Sequence, residues 1–301
     1  MTNFLLIAVC MLAGMASRRY GKLPAHAYKG VNALILNLAL PAVSFKYLPH
    51  MQWTASLLLP VAAPVIIWLC GWLYIRLYAS GAKLDKASEN GLKLVTGLSN
   101  TSFVGFPLVS AYFGDGALGI AVICDQVSFM LLATAGIVVA INASEHHTLS
   151  AAMVAKKVFL FPPFIACIAA LVLPLFTDLS PLDPLFDKLA ATVAPLALFS
   201  IGLQIQFDGL RRQLKPIFAS LFFKLIIAPF LIYGIVMLIG MRGIIPQISI
   251  FESAMPSFLT AGIVASEYDL NPGLTSLVVG VSILVSFVTT AVWYLALMPL
   301  G

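Results

Sequence analysis

Long apolar runs separated by short polar turns dominate the chain. A helix rising about 1.5 Å per residue needs roughly 20 such residues to cross a hydrocarbon core about 30 Å thick. Ten runs meet or approach that length. They predict spans at 2–17, 28–48, 54–79, 89–113, 116–141, 150–174, 183–205, 214–240, 244–266 and 272–299, the first of them short. No intervening stretch is long enough for an extramembrane domain. The pattern predicts an all-α membrane protein of ten transmembrane helices.

Composition agrees: 61% of the 301 residues are hydrophobic and 10% are charged, where soluble domains carry about 25% charged residues. The net charge of +5 is spread over short loops and forms no nucleic-acid-binding face. Its distribution sets an orientation. Arg18, Arg19, Lys22, Lys29, Arg76, Lys83, Lys86, Lys93, Lys156, Lys157, Arg211, Arg212 and Lys215 flank the loops after odd-numbered spans. Lys46, Lys188 and Arg242 lie on the opposite side, and Lys224 falls within a span. The positive-inside rule then places both termini outside the cytoplasm. The first run is not read as a signal peptide, because its positive charges follow the apolar stretch.

Other candidate chemistry is thin. Cys10, Cys70, Cys124 and Cys167 lie in apolar runs without metal-ligand or CxxC spacing, which reads as packing. His26, His50, His146 and His147 fall outside the spans or at their ends. Neither a cofactor nor a bound metal is expected.

One internal offset recurs. Pro41 and Pro195 are 154 residues apart, and so are Asp115 and Asp269. The same shift lays spans 1–5 (residues 1–141) over spans 6–10 (150–301). Five spans is an odd number, so the second half would run inverted relative to the first, as in many secondary transporters.

Polar clusters inside spans mark candidate sites, because every backbone polar group in lipid must find a partner. Span 4 carries Ser99, Asn100, Thr101 and Ser102, then Gly105 and Pro107. Span 9 carries Glu252, Ser253, Ala254, Met255, Pro256 and Ser257. Prolines remove helix hydrogen bonds, so both spans are expected to break, with Pro107 contributing to the break in span 4. The 154 shift sets Asn100 on Ala254 and Ser102 on Pro256. Broken helices offer half-helix N-termini to anions and unwound carbonyls to cations. The bland alternative is that these residues only bond neighbouring helices.

Three ionisable residues also fall within spans: Asp125, Lys224 and Glu252. Each is expected roughly 10–13 Å from a membrane face, at depths within a few ångströms of one another. Such residues pair or serve a pathway. Two acids and one base leave a formal −1, which a proton or sodium ion would cancel.

Asn100-Thr101 with Gly105-Phe106-Pro107-Leu108, and Ala254-Met255-Pro256 with Ala265-Ser266-Glu267-Tyr268-Asp269-Leu270-Asn271-Pro272, resemble the fourth- and ninth-helix motifs of the auxin efflux carrier family. The likeness covers the whole chain in span number. It departs at Ser99, where the plant carriers have proline, which predicts a softer break there. It also departs at 141–150, a short turn in place of their long loop. The resemblance implies a fold shared with bile-acid sodium symporters and sodium/proton antiporters. A scaffold (1–53 and 150–205), often dimeric, would support a moving transport domain (54–141 and 214–299), with spans 4 and 9 crossing at the site. It further implies transport of small organic anions such as auxin or malonate, and ion-binding roles for Asn100 and Glu252. The expected setting is a bacterial inner membrane.

Two other classes are weaker. An intramembrane enzyme would need a catalytic motif, and HExxH, GxSxG and DDxxD are all missing. Asp183 and Asp187 read as a solvated helix start. A channel would favour pore-lining rings over mirrored helix breaks.

Overall fold

The computed structural model of the chain describes residues 2–21, 23–24, 26–143, 159–205, 210 and 213–301. The start of predicted span 6 (150–158) and the basic residues Lys22, Lys156, Lys157, Arg211 and Arg212 lie outside them. The described residues are helical apart from turns, short extended pieces and one isolated antiparallel bridge between Ser99 and Ser257. Among the described residues, five helices are long and apolar enough to cross a membrane: Ala55–Ala82, Asp115–Ala143, Ser180–Gln204, Leu214–Ile239 and Pro272–Leu300. Thr101–Phe113 and Pro162–Leu175 are shorter apolar helices. Predicted spans 4 and 9 are both interrupted. Helix Lys86–Gly97 is separated from winding that resumes at Thr101, and helix Ile244–Ser253 from helix Leu259–Glu267.

Among the described residues, four helices contain a five-residue π-turn: Ile35–Ala39, Thr101–Gly105, Leu132–Gly136 and Phe223–Ile227. Three of these end two residues before a proline, at Pro41, Pro107 and Pro229. A proline in a regular helix lacks the N–H that would bond the carbonyl four residues back, and its ring crowds that carbonyl. The wider i→i+5 turn relieves the crowding. Trp293 supplies the missing donor for one of them: its indole N–H bonds the Leu225 carbonyl at 3.0 Å, four residues before Pro229. Pro107 therefore does not break its helix, contrary to expectation. The interruption lies upstream, at Leu98–Asn100, and Pro107 sits in the first turn of Phe106–Phe113.

Contacts divide the chain into two compact units. Unit 1 comprises 1–54, 102–122 and 159–205. Its helices Thr2–Arg19 and Val193–Gln204 touch through glycines. A Cβ on Gly14 would stand 2.2 Å from the Phe199 carbonyl, and one on Gly202 would stand 2.2 Å from that of Met11. Small residues permit this backbone approach. Arg18 then caps the far end by donating to the Leu203 carbonyl at 2.6 Å. Helix Leu40–Tyr47 packs on helix Asp183–Ala190. There Phe45 stacks on Phe186 at 4.9 Å and Lys46 pairs with Asp187 at 2.8 Å. His50 lies 3.8 Å from Asp183.

Unit 2 comprises 55–101, 123–158 and 206–301. Gly71 and Gly97 bring helices Leu58–Ala82 and Lys86–Gly97 together. A polar relay joins two helix starts. Asp85 caps Lys86–Gly97 by accepting from the Ser88 N–H, and the Ser88 hydroxyl accepts from Asn271, whose own side chain caps Pro272–Leu297.

Candidate functional site

The site is assembled within unit 2 from the two interruptions. Helix Lys86–Gly97 ends when Leu98 turns extended. Helix Ile244–Ser253 ends at Ala254, and Pro256 within the gap cannot continue a helix. The exposed main chains then pair with each other. Asn100 donates its N–H to the Pro256 carbonyl at 2.9 Å, and Phe258 donates to the Leu98 carbonyl at 3.1 Å. The break at Ser99 therefore has non-local support. Main-chain bonds to the opposite interruption hold it, and no local proline is needed.

Side chains converge on this crossing. Ser99, Asn100, Thr101, Ser257, Ala254, Met255 and Pro256 are all buried. The Lys224 ammonium donates to the Ser99 hydroxyl at 2.5 Å, from within the π-turn Phe223–Ile227. Thr101 donates to an Asp125 carboxylate oxygen at 2.6 Å. Glu252, in the last turn of its helix, is 2% exposed, and neither of its carboxylate oxygens has a hydrogen-bond partner among the described residues. It stands within electrostatic range of Asp125 and Lys224, yet no direct ion pair joins it to Lys224 among the described residues. Ser102 is buried too, but groups with unit 1, and its hydroxyl has no hydrogen-bond partner among the described residues.

The electrostatics are two-sided. The C-terminal ends of Lys86–Gly97 and Ile244–Ser253 bring carbonyls and a negative dipole end to the crossing. The start of Leu259–Glu267 and the winding that resumes at Thr101 bring N–H groups and a positive end. Such a crossing can hold an anion at the amide ends and a cation at the carbonyl ends.

Several participants escaped sequence reading. The Ser257 N–H donates to the Ser282 hydroxyl at 3.1 Å, and Phe129 meets Phe258 edge-on at 4.8 Å. Gln126 is buried beside Asp125. The spacing of Ser282, Ser286 and Thr290 along one helix face was a readable signal. The pairing of Thr96 with Ser220 at 2.6 Å was not, because either residue alone looks like ordinary helix packing.

With this geometry in place, comparison with known proteins is decisive. The model of the family described as membrane transport protein matches residues 1–294. The chain belongs to that family. This is the relationship to which the resemblance to the auxin efflux carriers pointed, and it makes the chain an integral membrane protein. An uncharacterized transporter of Methanothermobacter thermautotrophicus is 25% identical over 300 residues, covering 97% of this chain and 96% of the relative. The uncharacterized transporter MJ1031 of Methanocaldococcus jannaschii is 25% identical, with 96% of each chain covered. The uncharacterized transporter YfdV of Escherichia coli K12 is 24% identical, with 97% and 95% covered. Family membership thus spans both interruptions, both units and nearly the full length of each relative.

Proposed function

We propose that this member of the membrane transport protein family is a secondary transporter of small organic anions, working by alternating access at the crossing of its two interrupted helices. The observation that carries the proposal is the main-chain pairing of Leu98–Asn100 with Pro256–Phe258. Two mutually anchored breaks form a rigid polar centre with both amide and carbonyl helix ends available. Ser99, Asn100, Thr101, Ser102, Ala254, Met255, Pro256 and Ser257 are the proposed substrate contacts. Asn100, Asp125, Lys224 and Glu252 are the proposed ion-coupling set, with sodium or a proton as the ion.

In this reading the ten predicted spans form two inverted five-helix repeats. Both interrupted helices end 154 residues apart, at Phe113 and Glu267, which supports the repeat. The breaks themselves begin at Leu98 and Ala254, two residues further apart. Unit 1 is the proposed scaffold and the seat of a homodimer. Unit 2, which carries the crossing, is the proposed moving part of an elevator, and segment 102–122 groups with the scaffold. Contacts within the units support the sorting of segments onto two sides, and the charge distribution is what assigns the side of the termini to the outside. Asn3 with Ser110 and Lys46 with Asp187 join segments assigned outside, while Arg18 with Leu203 and Ser88 with Asn271 join segments assigned inside. A bacterial inner membrane is the proposed location.

A thermal-shift screen of small carboxylates, with and without sodium and at two pH values, tests the proposal. A ligand selective for the native state raises apparent stability by mass action, by about 2.7 kcal/mol at a hundredfold excess over Kd. At least one carboxylate should stabilise the wild type and fail to stabilise Asn100→Ala. That variant loses only the side chain, and the main-chain bond to Pro256 remains. Equal stabilisation of both proteins would remove Asn100 from the site, and no response to any carboxylate would remove the substrate class.

A further inference from the structure

Unit 2 has a second concave feature that shares no residue with the crossing. A groove of about 740 Å³ opens between the end of helix Leu58–Ala82 and the start of helix Leu214–Phe222. It exists because the first helix finishes in Gly81 and Ala82, which have almost no side chain to fill the space. A Cβ on Gly81 would meet nothing within 4 Å. Lys83 then takes a left-handed conformation that ends the helix. The walls are Tyr74, Leu77, Tyr78 and Phe218, with Leu77 66% exposed and Phe218 71% exposed. In a membrane protein such residues face hydrocarbon.

Among the described residues, Lys215 is the one charged residue in the lining. In sequence, residues 83–86 after the first helix and 206–215 up to the second carry five basic residues, Lys83, Lys86, Arg211, Arg212 and Lys215, against two acids, Asp85 and Asp208; Arg211, Arg212 and Asp208 lie outside the described residues. An apolar trough ending at a cation, within a basic stretch at a helix end, matches the chemistry of an anionic phospholipid. A second copy of the chain would bring the same positive charges against these. A free organic anion would leave the apolar walls unused. We propose that this groove binds an anionic phospholipid, with one acyl chain along Tyr74, Leu77 and Phe218 and the phosphate paired with Lys215.

Its inner wall continues toward the crossing. The Tyr74 ring packs on Phe223 at 5.1 Å, and Phe223 opens the π-turn that carries Lys224. A bound lipid would therefore brace the turn that presents Lys224 to Ser99.

Native mass spectrometry of the full chain, released from nanodiscs of mixed dioleoylphosphatidylglycerol and dioleoylphosphatidylcholine, tests the proposal. The wild type should retain phosphatidylglycerol in preference to phosphatidylcholine. Lys215→Gln should cut that preference about fivefold, the factor for one basic group at an anionic surface, and Lys215→Arg should restore it. Gly81→Leu adds a side chain whose Cβ would meet nothing within 4 Å and which takes up space in the trough, and should lower retention of both lipids. Lys188→Gln removes an equal charge from unit 1 and should change nothing. Equal retention of the two lipids by the wild type overturns the proposal, as does an unchanged preference in Lys215→Gln or an equal loss in Lys188→Gln. Lys215 and Gly81 are exposed, so both variants should fold, and a wild-type elution profile checks this.

Discussion

Acids at the helix ends and Glu252 at the crossing meet opposite conditions. Asp85 accepts the Ser88 N–H at 2.8 Å and the Ser88 hydroxyl at 2.7 Å, and these bonds hold its carboxyl below the usual carboxylate range. Asp187 pairs with Lys46, and Asp183 lies near His50. Each of these acids is completed by nearby groups. Glu252 is buried with no hydrogen bond to either oxygen among the described residues. An isolated buried carboxylate is costly in its charged form, and satisfied acids elsewhere in the chain show that the fold can supply donors. The difference is what supports the proposed ion-coupling role of Glu252, in which a proton or a cation completes the carboxyl group.

The largest expected effect tests that contrast directly. Glu252→Gln keeps the shape and removes the titration. In proteoliposomes the variant should still exchange a stabilising carboxylate across the membrane. It should lose net accumulation driven by a sodium or proton gradient. Asp125→Asn, run in parallel, separates the two acids, because Asp125 already accepts from Thr101. Unchanged ion dependence in Glu252→Gln would make that carboxylate structural and erase the distinction drawn here.

Next in size is the support behind Lys224. The Leu225 carbonyl loses its helical donor at Pro229 and takes the Trp293 N–H in its place. Trp293→Phe keeps most of the ring and leaves that carbonyl bare, at a cost of about 1–3 kcal/mol. Thermal unfolding in detergent should fall accordingly. A wild-type unfolding temperature would mean that the π-turn satisfies the carbonyl by itself.

Asp85 gives a smaller effect with a defined sign. Its folded pKa is depressed, so its contribution is present above the ordinary carboxylate pKa and is lost as pH falls through the lower folded value. Asp85→Ala should cost about 1 kcal/mol at neutral pH, as for other lost N-caps. Asp85→Asn retains a capping oxygen, so it should stay near wild type at neutral pH and lose this part of the acid sensitivity. Equal acid sensitivity in wild type and Asp85→Asn would show that the cap does not depend on charge.

Much of this was legible in the sequence. Span-length apolar runs, the mid-span polar clusters and Pro256 led to both interrupted helices, and Asp125, Lys224 and Glu252 stood out as charges within apolar runs. The location of the first break was not legible. Proline was read as a breaker at Pro107, yet Pro41, Pro107 and Pro229 each follow a π-turn that absorbs the ring within a continuing helix. A 3.6-residue period gives no hint of a five-residue turn. The break at Leu98–Asn100 is held by hydrogen bonds to residues about 156 positions away, and no local pattern encodes a partner at that distance. Ser282 was only half legible: its spacing with Ser286 and Thr290 marked a polar helix face, but nothing in that spacing named its partner, the Ser257 N–H.

The smallest effect belongs to the exposed ion pair of unit 1. Lys46 and Asp187 form a close ion pair at 2.8 Å in unit 1, with side-chain exposures of 27% and 58%. Lys46 also lies 5.2 Å from the centroid of the Tyr47 ring. Water reaches both partners, so the Coulomb gain is screened and offset by the entropy of fixing two side chains. A double-mutant cycle through Lys46→Gln and Asp187→Asn should return a coupling of about 0.2–1 kcal/mol in thermal or denaturant unfolding, declining as salt is raised. Ion dependence of transport should match wild type in both variants. A coupling above about 3 kcal/mol, the scale of broken buried pairs, or altered ion dependence would place the pair with Glu252 rather than opposite it. The division between completed and incomplete acids would then have to be redrawn.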